Sequence, residues 1–86
     1  MNSETATKKE IIYRSVHRGC KETDHLIGEF VKAKIDDFSS DQLALIQGFI
    51  LEDDLAIYEW IMNRGVFDDK YSDIITMIRD FHNITV

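Results

Sequence analysis

The chain has 86 residues, 44% of them hydrophobic and 30% charged, with a formal net charge of −6; this composition fits one small globular domain and argues against disorder. A chain of this length buries roughly 60 to 65% of its unfolded surface, which leaves one modest core and little depth for a catalytic cleft. No apolar run approaches the roughly 18 residues of a membrane span, and the opening MNSETATKKE has neither the apolar stretch of a secretion signal nor the acid-free make-up of a transit peptide.

A soluble protein without direct membrane insertion is therefore expected. Cys20 is the single cysteine, so an internal disulfide and a four-cysteine zinc site are excluded and a reducing compartment fits. Charge is uneven: residues 1–34 carry seven Lys/Arg against five Asp/Glu, residues 35–86 three against eleven. So acidic a body repels phosphate backbones, which argues against nucleic acid as a partner, whereas the basic N-terminal third suits an acidic protein surface.

Zero prolines, four scattered glycines and few clustered β-branched residues predict an all-α chain, a compact single-domain bundle of about five short helices. Thr7-Lys8-Lys9-Glu10 has the form of a capping box, so the first helix is expected to open there, after a flexible N-terminus over 1–7, and to stop near Gly19. The second helix follows at once, with Leu26, Ile27, Phe30 and Val31 on one face, and runs out at Asp36-Asp37 after Ile35. A second box, Ser39 to Gln42, opens the third helix, which carries Leu43, Ile46, Phe49 and Ile50. Asp53-Asp54 caps a fourth helix bearing Ile57, Tyr58, Ile61 and Met62, and Gly65 ends it. The fifth begins around Asp68-Asp69 and shows Tyr71, Ile74, Ile75, Ile78 and Phe81 at helical spacing. Connections this short make successive helices neighbours in one domain, 8–83.

Three chemistries compete for the polar residues. His17, Cys20 and His25 offer soft ligands, but their spacing matches no common zinc arrangement, and two surface histidines with a packing cysteine explain them. His82 falls in the last turn of the fifth helix, where imidazole complements the dipole. Nucleophilic catalysis by Cys20 needs a base in reach and an oxyanion donor, and no substrate-binding motif accompanies it. The acidic pairs Asp36-Asp37, Asp53-Asp54 and Asp68-Asp69 are each read as helix starts. No catalytic residue and no metal site is assigned.

The run RSVHRGCKETD, Arg14 to Asp24, is harder to reduce to capping. Arg18 ends one helix and Glu22 begins the next, which suits both charges singly. Gly19 permits a tight bend that sets cation and acid side by side, with Arg14, His17, Lys21 and Asp24 around them. Such a polar knob suits docking on a partner through directional hydrogen bonds.

These residues resemble a known family. Arg18-Gly19-Cys20-Lys21-Glu22 is similar to the Arg-Gly-x-x-Glu signature of the small succinate dehydrogenase assembly factors, also called FAD assembly or flavinylation factors. Arg14-Ser15 before it, Asp24 after it and the downstream LEDDLAIYEWIMNRG extend the resemblance from about Ile11 to Phe81. Cys20, His17 and Leu55 depart from the pattern, which favours methionine, arginine and proline there. The resemblance implies a five-helix domain that is not an enzyme but a chaperone. It binds the flavoprotein subunit of succinate dehydrogenase, and in some bacteria that of fumarate reductase, and promotes covalent attachment of FAD to a client histidine.

It further implies that Arg18, Gly19 and Glu22 contact the client, with Arg14, His17 and Asp24 as the rim. No cofactor is held tightly: the protein acts on the client's FAD. It is expected to be a monomer in the bacterial cytoplasm, the mitochondrial matrix being disfavoured by the missing transit peptide. Trp60 is read first as a core anchor. Two alternatives remain open: a small acidic helical adaptor unrelated to flavin, and a thiol or metal enzyme built on Cys20.

Overall fold

Apolar residues at helical spacing and locally satisfied helix ends produce five α-helices in the computed structural model, which describes residues 3–19, 21–62 and 66–85. These are α1 (Ser3–Val16), α2 (Lys21–Lys34), α3 (Ser40–Phe49), α4 (Asp54–Ile61) and α5 (Ser72–Phe81), with 3₁₀ turns at Ile35–Asp37 and Asp69–Tyr71. Among the described residues there is no strand, and no helix is long and apolar enough to cross a membrane.

The centre of the bundle is α2, which packs against α1, α4 and α5. It buries Thr23, Leu26, Ile27, Gly28, Phe30 and Val31, a stripe wider than the two-position seam of a coiled coil, so it meets neighbours on more than one side. Gly28 lets α1 come close: a Cβ there would lie 3.0 Å from Val16 Cγ1 and 3.4 Å from the Ser15 carbonyl. Ser15, fully buried opposite, satisfies its hydroxyl by donating to the Ile11 carbonyl at 2.7 Å. Ile11, Ile46, Phe49, Ile57, Ile61, Ile74, Ile75 and Ile78 complete a core with no exposed surface at any of these positions. Trp60 is half-buried and packs between Tyr71 and Phe49, as its reading as a core anchor expects.

Two local signals act as read. Ser39 accepts from the Gln42 amide at 3.1 Å while the Gln42 side chain accepts from the Ser39 amide at 2.8 Å, a complete capping box. Asp53 Oδ2 accepts from the amides of Leu55 and Ala56 at 3.1 and 3.2 Å. Asp68 caps the 3₁₀ turn that feeds α5 rather than α5 itself.

Other boundaries differ. The first helix opens at Ser3, so Thr7 lies inside it; nothing before Thr7 breaks a helix, and extending an existing helix costs far less than nucleating one. Asp36-Asp37 is not a helix start either: both lie in the 3₁₀ turn that closes α2, Asp36 facing Lys8 at 3.8 Å, and Ser39 does the capping that follows. The expected stop at Gly65 lies outside the described residues.

Candidate functional site

Gly19 turns the chain from α1 into α2 with φ +86°, the left-handed region its missing Cβ permits. The turn is held from beneath, since Asp24 Oδ1, one turn into α2, accepts the Arg18 amide at 2.9 Å. An added Cβ at Gly19 would meet nothing within 4 Å, so this exposed backbone faces open space.

Arg18 does not project from this corner. Its side chain is only 7% exposed and runs inward to the connection between α3 and α4. There Nε donates to Asp54 Oδ1 at 2.5 Å, Nη2 to the Glu52 carbonyl at 2.8 Å, and Nη1 to the Ile50 carbonyl. The carbonyls at a helix C-terminus have no partner within their own helix, and a guanidinium supplies donors in a planar fork. One side chain thus completes the end of α3, neutralises an acid in the first turn of α4 and fastens both to the α1–α2 corner. Thr23, fully buried, adds a longer contact from its hydroxyl to the Asp54 carbonyl at 3.4 Å. The acid beside the guanidinium is therefore Asp54, not Glu22. The expectation of a cation displayed at the surface fails, because a carboxylate 36 residues away competes for it successfully.

The remaining predicted residues surround this latch. Arg14 is exposed and paired with Glu10 along α1 at 2.9 Å. His17 is exposed, its ring 4.3 Å from that of Tyr13. Both line a groove of about 480 Å³ together with Tyr13, Arg18, Leu51 and Glu52. Glu22, exposed in the first turn of α2, lines a neighbouring groove of about 440 Å³ with Asp53, Leu55 and Tyr58; Asp54 borders both. Asp24 lies beneath the corner rather than on its rim. Cys20 and the Asn63-Arg64-Gly65 end of the tryptophan segment lie outside the described residues.

Three residues not assigned to the docking surface from the sequence flank the latch: Tyr13, Leu51 and Leu55 are 64%, 67% and 64% exposed. Scattered exposed apolar residues are ordinary, but these three line the two grooves that meet at Asp54. Leu55 carried a usable signal, since it stands where the resembled family favours proline. Glu52 is engaged twice: its backbone receives Arg18, and its Oε2 accepts the Tyr71 hydroxyl at 2.7 Å. Burial, and then the hydrogen bond and negative charge of Glu52, push the Tyr71 phenol up to about 12.

The two histidines weighed as metal ligands pack on different rings. His25 packs against His82 at 5.4 Å while His17 packs on Tyr13. His82 does more than complement a dipole, for its Nε2 donates to the Leu26 carbonyl at 2.8 Å and ties α5 to α2. No group of three His, Cys, Asp or Glu among the described residues is placed to hold a metal.

Comparison with known proteins places the chain. Residues 9–82 match the family described as "Flavinator of succinate dehydrogenase". The FAD assembly factor SdhE of Acetobacter pasteurianus is 32% identical over 59 residues, which is 69% of this chain and 54% of that protein, so the match spans about half of the relative's length. The FAD assembly factor SdhE of Legionella pneumophila is 27% identical over 63 residues, 73% of this chain and 80% of that protein. No solved structure gives a significant match.

Proposed function

We propose, for a chain that belongs to the family of succinate dehydrogenase flavinators, that it binds the flavoprotein subunit of succinate dehydrogenase and promotes covalent attachment of FAD to it. The names of its relatives as FAD assembly factors support this reading. The observation that carries it is the corner itself: an internally satisfied arginine fixes a backbone turn with open space at Gly19, among exposed Tyr13, Leu51 and Leu55. That is a shaped face for another protein rather than a set of reacting groups.

In this reading the chain is not an enzyme. Client and cofactor hold the reacting atoms, and the helper selects the client conformation in which histidine and flavin are in attacking geometry. Gly19, Glu22, Arg14 and His17 meet the client, Leu51 and Leu55 extend the contact, and Arg18 and Asp24 hold the turn from inside. It holds no flavin tightly in this reading. Among the described residues the groove beside Glu22 has no Lys or Arg in its lining, and the two arginines of the groove beside Tyr13 are engaged by Glu10 and Asp54, so neither groove offers a dinucleotide's phosphates an uncommitted arginine. The chain acts as a monomer in the bacterial cytoplasm, and the flavoprotein of fumarate reductase is a second client to examine.

The test uses the flavoprotein subunit purified without covalent flavin from a strain lacking this protein. It is incubated with FAD, with or without the purified chain, then denatured and scanned in a gel for flavin fluorescence. A fluorescent band that forms faster with the chain is expected; equal rates with and without it would refute the function.

A further inference from the structure

Glu52 sits between two attachments that differ in kind. Toward the surface, its carbonyl takes the Arg18 Nη2 donor at 2.8 Å, and its chain neighbour Leu51 is one of the exposed residues beside the latch. Toward the interior, its carboxylate takes the Tyr71 hydroxyl at 2.7 Å. Tyr71 cannot easily move: it is 4% exposed, its ring stacks on Trp60 at 5.8 Å and stands edge-on to Phe49 at 5.1 Å. The connection itself is held by weaker means, backbone bonds of 3.2 Å from Leu51 to Gly48 and 3.1 Å from Glu52 to Phe49.

Resting on the function proposed above, we infer that Tyr71 is a positioning residue for the docking corner, acting through Glu52: its hydroxyl fixes the α3–α4 connection that receives Arg18 and presents Leu51. Tyr71 lies far from the signature in sequence and touches no predicted partner contact. Its hydroxyl is dispensable for packing, because phenylalanine keeps the stacked ring. What that hydroxyl supplies is a charge-assisted hydrogen bond to a carboxylate whose own backbone is the receptor for Arg18. A phenol near its ordinary value of about 10 already keeps its proton at neutral pH, and burial pushes Tyr71 further up, so it stays a donor.

The experiment compares Tyr71→Phe, Glu52→Gln and Glu52→Ala in the full chain, measuring the concentration that half-saturates client flavinylation, the rate at saturation, and amide hydrogen exchange. Tyr71→Phe and Glu52→Ala are expected to raise the half-saturating concentration roughly five- to tenfold while leaving the saturated rate unchanged, less than the full worth of one hydrogen bond to a charged group because the effect reaches the client only through the connection. Glu52→Gln keeps an acceptor but not its charge and is expected to fall between wild type and Glu52→Ala, and the double variant of Tyr71→Phe with Glu52→Ala should be no weaker than the worse single one. Exchange at the Leu51 and Glu52 amides should quicken in Tyr71→Phe while core amides of α2 do not. A wild-type half-saturation in Tyr71→Phe, or Glu52→Gln as weak as Glu52→Ala, would overturn the inference. If the wild-type chain flavinylates nothing, the functional reading falls instead, and exchange at Leu51 and Glu52 still decides whether Tyr71 holds the connection.

Discussion

Two arginines in this bundle perform the same structural act in different surroundings. Arg79, on α5, donates from Nε to the Ile61 carbonyl at 2.9 Å and from Nη2 to the Trp60 carbonyl at 2.6 Å, closing the end of α4 much as Arg18 closes the end of α3. Among the described residues Arg79 meets only carbonyls there, whereas Arg18 also meets the carboxylate of Asp54, which borders two grooves with exposed apolar residues in their linings. One device stabilises a helix end; the other stabilises a helix end and thereby sets the shape of a surface. The same side chain at a helix end can therefore serve closure alone or closure together with the shape of the neighbouring surface, depending on whether a carboxylate and exposed apolar residues lie beside it.

The largest expected effect is at Arg18. Arg18→Ala strands the Asp54 carboxylate and two helix-end carbonyls, and should cost about 2 to 4 kcal/mol, roughly 10 to 25 °C in Tm for a domain of this size. Thermal melts followed by circular dichroism measure it, and a shift below a few degrees would restore the surface-exposed reading of this residue. Arg79→Ala leaves no carboxylate bare and should cost about 1 to 2 kcal/mol by the same melt. At temperatures where it stays folded, its flavinylation yield should match wild type, which separates helix closure from surface shaping.

Gly19→Ala comes next, at about 1 kcal/mol, because the added Cβ has room but φ +86° is unfavourable for it. Its client capture should fall more than its stability does; equal capture would show that the backbone at Gly19 is not approached. Smallest in stability are Leu51→Ser and Leu55→Ser, expected within about 0.5 kcal/mol because both side chains are largely exposed. Pull-down of the flavoprotein should nevertheless weaken in both, and capture equal to wild type would confine the docking face to the signature.

Much of this was legible because its causes are local. The Ser39–Gln42 box and the Asp53 cap each join residues within three positions of one another, and the apolar stripes of α2 and α5 repeat at helical spacing. The left-handed turn at Gly19 follows from the one residue type that enters it freely. The fate of Arg18 was hidden for the opposite reason. An arginine at a helix end is equally at home in water or across a buried connection, and only the approach of α4, which no periodicity encodes, decides between them. The Tyr71–Glu52 and Arg79–Trp60 bonds, each spanning 19 residues, were hidden likewise. Asp36-Asp37 misled because a pair of acids marks a helix start only when a helix follows directly, and here Phe38 and Ser39 intervene.

That Arg18 works inward, through Asp54, is tested by a double-mutant cycle between the two residues in urea denaturation. Arg18→Ala, Asp54→Ala and the double variant should show a coupling of about 1.5 to 3 kcal/mol, the double costing much less than the sum, because the second substitution removes a charge already stranded. Additivity within about 0.5 kcal/mol, with each single variant near wild-type stability, would contradict the latch and return Arg18 to the surface.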